Sequence, residues 1–131
     1  MSKDKGLVNL NIVRARNALN AARSDTFGGI NGGDIAKKIP PLIMNNGLIA
    51  VLSFAVENKN KLDSSGYGKV FKAVIAHLKD KDIKILPPDS KILEVEDLLE
   101  YILNGDSTGL RRITLETMLW LEYFRRFAKK G

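Results

Sequence analysis

Glu94, Glu96, Asp97 and Glu100 fall within seven residues, close enough to raise the two tasks that clustered carboxylates perform, metal binding and acid–base catalysis. Glu96 and Glu100 stand about one helical turn apart. No catalytic partner lies beside them, however, and magnesium sites built on one or two carboxylates usually recruit substrate phosphate as well. The run therefore reads as an acidic surface, solvated or facing a partner. A second candidate, "GGINGGD" at 28–34, suggests a phosphate-cradling loop. It lacks the Gly-Lys-Ser/Thr ending and follows a helical pattern rather than a strand, so it fails the context that chemistry requires. His77 is the single histidine and sits between Ala76 and Leu78, the setting of a partly buried structural residue. No Ser/His/Asp set can be nominated. With no cysteine in the chain, disulfides, thiolate zinc sites, iron–sulfur clusters and cysteine nucleophiles are excluded together. We expect no enzyme, no metal and no cofactor.

The basic residues carry a stronger signal. The formal net charge is +6 over 131 residues, but its distribution says more than its sum. Residues 1–24 hold five bases against one acid, 59–81 six against two, and 107–131 six against two, whereas 89–106 holds six acids and one base. Basic blocks alternating with one acidic block point to a polyanionic partner.

Five segments show helical periodicity and none shows strand alternation. The first covers roughly 7–24, with Val8, Ile12, Ala15, Leu19 and Ala22 as its apolar stripe. Arg16 and Arg23, seven residues apart beside Asn9 and Asn20, mark an outward polar face, and Arg14 points elsewhere. After the Gly-rich loop, Asp34 is placed to cap the next helix. Pro40-Pro41 should break that helix, and Asn46-Gly47 should end it through a left-handed residue. The nearly all-apolar stretch from about Leu48 to Glu57 then reads as a buried central helix. A helix of roughly 67–80 turns Tyr67, Val70, Phe71, Val74 and Leu78 inward. "LPPDS" breaks the chain again, and Asp89 or Ser90 is placed to cap the acidic helix. Gly105 and Gly109 bracket the turn before the last helix. Short connections between amphipathic helices predict an all-α fold, a single compact bundle of about six helices spanning 1–131.

The terminal segment "LRRITLETMLWLEYFRRFAKK" combines two demands. Leu110, Ile113, Thr117, Trp120, Leu121, Phe124, Phe127 and Ala128 share a core stripe at about 100° per residue, while Arg111, Glu122, Arg126 and Lys129 lie opposite. Arg112 can pair with Glu116 and Glu122 with Arg126, at about 0.2–0.5 kcal/mol each. Such pairs leave bases in excess. Leu115, Met118 and Leu119 lie near the basic face, an apolar strip beside uncompensated arginines that suits a contact surface.

These segments resemble a known family. "TLETMLWLEYFRRFAKK" is similar to the closing helix of the small subunit of the Cmr complex, the type III-B CRISPR effector. "IPPLIMNNGLIAVLSFAV" resembles its proline-led apolar helix, Asn-Gly-Leu break and buried helix, and "NIVRARNALNAA" is compatible with its first helix. Together they cover most of the chain; "FGGINGGD" and "ENKNKLDSSG" fall outside the resemblance. It implies a non-catalytic, all-α, RNA-binding subunit in antiviral defence. Its partners would be the guide RNA–target RNA duplex, the other Cmr subunits and copies of itself in a filament. A holder indifferent to sequence needs lysines and arginines for phosphates. The RNA-facing set we expect is Arg16, Arg23, Lys69, Lys72, Arg111, Arg112, Arg125, Arg126 and Lys129. The other classes considered are a helical protein-binding scaffold and a helix-turn-helix regulator. The longest apolar run, 48–56, is far too short to span a bilayer, and no signal peptide is visible, so a soluble cytoplasmic protein with no membrane partner is expected.

Overall fold

In a computed structural model, which describes residues 8–24, 32–58, 60 and 65–128, the chain forms six helices. They are α1 (Leu10–Arg23), α2 (Gly32–Asn46), α3 (Leu48–Glu57), α4 (Ser65–Leu78), α5 (Val95–Leu103) and α6 (Ser107–Phe127). Among the described residues there is no strand. The expected all-α bundle is present.

Local sequence explains most of the helix ends. Asn9 caps α1, its side-chain oxygen accepting from the Asn11 and Ile12 amides at 2.9 and 3.3 Å. Asp106 caps α6 by accepting from the Gly109 amide at 2.8 Å. Gly47 takes φ +87° and donates its amide to the Ile43 carbonyl at 2.8 Å. With ψ at 157°, it closes α2 in an extended positive-φ conformation that essentially only glycine adopts.

Several expectations need correcting. The helix α2 runs unbroken through Pro40 and Pro41. Each ring removes a donor to the preceding turn, but Ile35, Ala36, Ile39 and Ile43 are all buried along this helix, and their burial holds it together. It begins at Gly32, so Asp34 falls in its first turn rather than at its cap. The acidic helix starts at Val95, later than a cap at Asp89 or Ser90 implies. There the Asp97 carboxylate accepts from the backbone amides of Glu94 and Leu93 at 2.9 and 3.1 Å. Last, α3 is not buried all round: Leu48, Val51, Leu52 and Ala55 face the core, while Phe54 remains 41% exposed.

The inward faces of α4 and α6 match the expected stripes. Tyr67, Val70, Phe71, Val74 and Leu78 are buried, as are Ile113, Thr117, Trp120, Leu121 and Phe124; Leu110, Phe127 and Ala128 are half-buried. Trp120 lies at the centre, stacked on Phe124 with ring centroids 4.7 Å apart and on His77 at 5.8 Å. The stripe expected for α1 holds only in part: Ala15 and Leu19 are half-buried and Ala22 packs against the core. Val8 and Ile12 are exposed, and the buried apolar residues are Val13 and Ala18. This helix packs chiefly along α6 with little apolar surface, and something else must anchor it.

Candidate nucleic-acid interface

The anchor is ionic. Arg14, on the inner side of α1, donates from Nε to Glu116 Oε2 at 2.7 Å and from Nη2 to Glu116 Oε1 at 2.8 Å. Glu116 sits three residues after Ile113 and four before Trp120, hence on the core face of α6, and it is 6% exposed. It therefore pairs across the bundle and not with Arg112, as local spacing suggested. His77 of α4 completes the cluster, with Nε2 2.8 Å from Glu116 Oε2 and Nδ1 2.9 Å from Asn17 Nδ2. A carboxylate only accepts and an amide nitrogen only donates, so the arrangement fixes the proton on Nε2. Burial alone would raise the Glu116 carboxyl, but the hydrogen bonds from Arg14 and His77 dominate and hold it down to about 2. The same contacts raise Arg14. The reading of His77 as a structural residue is correct, and it is fully committed to this cluster.

This clamp orients the rest of α1. Arg16, Asn20 and Arg23 are all exposed, along one line of the helix. Between α1 and α4 lies a groove of about 420 Å³, lined by Asn17, Asn20, Lys69, Lys72 and Asp80 together with alanines of both helices. Two of the expected RNA-facing residues, Lys69 and Lys72 of α4, line this groove, while Arg16 and Arg23 are exposed on α1. Asp80 contributes one negative charge. Burial would raise its carboxyl, but hydrogen bonds from the Asp82 amide and the Asn17 side chain, with the charge of Arg16, hold it below the ordinary value. Lys72 also reaches Glu94 at 3.3 Å, an exposed pair worth little.

The terminal arginines lie elsewhere. Arg111 and Arg112 are exposed on the outer face of α6 and have no ion-pair partner among the described residues. Arg125 and Arg126 share Glu122, at 3.2 and 3.9 Å. Lys129 lies outside the described residues, as do Lys130 and most of the two loops around 25–33 and 58–66. Leu115 is 60% exposed and Leu119 36%, as expected for a contact strip, whereas Met118 packs partly into the core.

The acidic residues disperse. Asp97 accepts from the Glu94 amide at the start of α5, Glu94 faces Lys72, Glu96 is half-buried and Glu100 is exposed. No group of three or more His, Cys, Asp or Glu side chains is arranged to hold a metal among the described residues. There too, no helix is long and apolar enough to cross a membrane. The Arg14–Glu116–His77–Asn17 cluster was missed from sequence, although a signal existed: Arg14 sits off the polar stripe of α1, and Glu116 sits on the core stripe of α6.

The chain is an all-α bundle that exposes basic residues on α1, α4 and α6. Its particular family is shown by comparison. A family model described as CRISPR-associated protein (Cas_Cmr5) matches residues 14–130, so the chain belongs to that family and is a component of a Cmr-type CRISPR system. The match takes in most of α1, the other five helices and the two loops that the sequence motifs leave out. Comparison with curated proteins and with solved structures returned no match.

Proposed function

We propose that this chain is the non-catalytic small subunit of a type III-B CRISPR (Cmr) complex, cytoplasmic and acting in antiviral defence. It stacks on copies of itself and on neighbouring subunits, and it holds the guide–target RNA duplex by its phosphates. The observation that carries the reading is the match to the Cas_Cmr5 family, supported by Lys69 and Lys72 lining the α1–α4 groove and by Arg16 and Arg23 exposed on α1. Long cationic side chains without base-reading partners suit contact with a phosphate backbone of any sequence. Arg125 and Arg126 contribute less, because both are partly neutralised by Glu122, and Lys129 extends the same basic run.

The test is fluorescence anisotropy with a labelled guide–target duplex over a salt series, on the isolated protein and on the reconstituted complex. Changing Arg16, Arg23, Lys69 and Lys72 to Ala should weaken binding and flatten the salt dependence. The log–log slope should fall by roughly 0.7–0.9 for each phosphate no longer neutralised. The companion variant carries Arg111, Arg112, Arg125 and Arg126 changed to Ala and should retain most of its affinity. An unchanged slope in the groove variant, in both settings, would leave the chain a protein-only scaffold.

A further inference from the structure

The groove between α1 and α4 carries more chemistry than contact with a phosphate backbone needs. Its volume of about 420 Å³ falls within the range of small-molecule sites, roughly 300–1,000 Å³. Its character changes along its length. Lys69 and Lys72 stand at one end and Asp80 at the other, with Ala73 and Ala76 between them. At a helical rise, Lys72 and Asp80 are about 12 Å apart, the scale of a single nucleotide. The Asp80 end is rigid and rich in acceptors. Asn17 uses both of its amide hydrogens, one on His77 Nδ1 at 2.9 Å and one on Asp80 Oδ2 at 3.0 Å. A carboxylate only accepts, so the direction of the second bond is fixed and Asn17 Oδ1 is left over as an acceptor. Asp80 Oδ1 accepts from the Asp82 amide at 2.8 Å, and each carboxylate oxygen keeps a further lone-pair site. The contacts of Glu116 with Arg14 and His77 hold His77, and through it Asn17, in place. Asn20, about one turn further along α1, is exposed, and its side chain has no hydrogen-bond partner among the described residues.

We infer that this groove binds one unpaired nucleotide, with guanine against Asn17, Asn20 and Asp80 and the phosphate at Lys69 and Lys72. Guanine presents two donors side by side on its pairing edge, and a carboxylate accepts both; bonds to a charged acceptor are the strong ones. Uracil offers one donor between two carbonyl oxygens, which a carboxylate repels. Adenine and cytosine each set one amino donor beside a ring acceptor and fall between. The walls suit a flat ring, because Ala21, Ala73 and Ala76 offer small apolar surfaces. At the other end, Lys69 has no ion-pair partner among the described residues. Lys72 has only its exposed pair with Glu94 at 3.3 Å, which contributes little. Both ammonium groups are therefore open to phosphate. The inference deepens the RNA reading, shares Lys69 and Lys72 with it, and rests on it where the nucleotide belongs to a bound strand. In a duplex the pairing edges are taken, so contact with paired RNA stays indifferent to sequence while a single unpaired guanosine is selected.

Amide chemical shifts of the full chain, titrated with GMP, AMP, CMP, UMP and inorganic phosphate, test this directly. GMP should shift Asn20, Ala73, Ala76 and Asp80 and bind tighter than UMP by about tenfold or more, the discrimination of one bidentate base contact. Inorganic phosphate should act at Lys69 and Lys72 alone, and more weakly. Ala76→Leu fills the groove from an exposed position and should abolish nucleotide binding. Asp80→Asn turns one acceptor into a donor and should bring GMP down to the level of UMP. Circular dichroism checks the folding of both variants, and the ranking in the unaltered protein stands without them. No shift at the groove with millimolar GMP, equal binding of GMP and UMP, or phosphate shifting the same amides as GMP would each overturn the inference. So would a folded Ala76→Leu that binds GMP like the parent.

Such a nucleotide has two sources, the free pool and an unpaired position in a bound strand. A labelled duplex with one bulged guanosine, set against the fully paired duplex, tells them apart. Tighter binding of the bulged form, lost in Ala76→Leu, supports a site for a nucleotide within RNA. GMP binding with no gain from the bulge supports a site for the free nucleotide. The same samples keep this inference apart from the duplex contact. A chain that binds the paired duplex and ignores GMP overturns only the nucleotide site, and one that binds GMP and ignores the duplex overturns only the RNA reading.

Discussion

Arg14 and Glu116 are separated by 102 residues in sequence and joined by two hydrogen bonds of 2.7 and 2.8 Å. The pair ties the first helix to the last, and His77 brings the fourth helix to the same carboxylate. Because α1 fully buries only Val13 and Ala18, this contact carries a large share of its attachment. It thereby fixes α1, with its exposed Arg16 and Arg23, against the bundle.

Removing one partner should therefore cost more than a surface ion pair would. The Arg14 and Glu116 side chains are 13% and 8% exposed. Arg14→Ala leaves a buried carboxylate short of its main partner, and we expect a destabilisation of about 3 kcal/mol. Replacing both, Arg14→Met with Glu116→Leu, should recover most of that stability, because no buried charge is then left unpaired. Urea unfolding followed by Trp120 fluorescence gives the cycle. A single-variant effect below about 1 kcal/mol, the range of exposed pairs, would mean that α1 is held by something else.

The same carboxylate sets an acid limb. Glu116 lies at about 2 in the fold against an ordinary 4.5, so its folded value is depressed. A depressed carboxyl contributes stability above its unfolded value and loses it as pH falls towards the folded one. A tenfold change in proton affinity corresponds to about 1.4 kcal/mol. From about pH 4.5 down to about 2, the fold should therefore lose on the order of 3 kcal/mol. Asp80 and Asp97, also depressed, add to the same limb. Urea midpoints across this range should fall for the parent and flatten in Glu116→Gln. Parallel curves would show that the acid sensitivity resides elsewhere.

What the sequence made legible follows from how each helix is held. The long amphipathic helices α4 and α6 bury apolar stripes, and periodicity finds those directly. In α1 the inner face carries Arg14 and Asn17, which periodicity counts as outward. For Glu116, the i,i+4 rule sees Arg112 and cannot see Arg14 across the bundle. The Pro40-Pro41 pair marks a local cost, while the burial of Ile39 and Ile43 that outweighs it is tertiary. Of the expected basic residues, Lys69 and Lys72 line the α1–α4 groove and Arg16 and Arg23 are exposed on α1. The α6 arginines form a separate face, a division that exists only once the helices are packed.

Two glycines of α4 should respond oppositely to alanine. A Cβ on Gly68 meets nothing within 4 Å, so Gly68→Ala should stabilise by about 0.5–1 kcal/mol through the restricted unfolded chain and higher helix propensity. A Cβ on Gly66 would collide with the end of the Ile35 side chain, and Ile35 is 3% exposed. Gly66→Ala must displace that side chain from the core and should destabilise by about 1–2 kcal/mol, the overpacking cost exceeding the propensity gain. Thermal unfolding of the two variants side by side is the check. A stabilising Gly66→Ala would place Ile35 where it can yield freely.

Trp120 separates stacking from hydrogen bonding in the core. It is fully buried, stacked between His77 and Phe124, and its Nε1 has no hydrogen-bond partner among the described residues. Trp120→Phe keeps an aromatic ring in the stack and deletes the unpaired donor, whose burial costs about 1–3 kcal/mol; that gain offsets part of the smaller volume. Trp120→Ala empties the site and should destabilise by about 3–5 kcal/mol, with the packing of His77 lost as well. We expect Trp120→Phe to cost about 2 kcal/mol less than Trp120→Ala, measured by urea unfolding followed by far-ultraviolet circular dichroism, since the chain has a single tryptophan. Equal effects would mean that the indole is held by a contact of its second ring, and that the stack with Phe124 is incidental to the core.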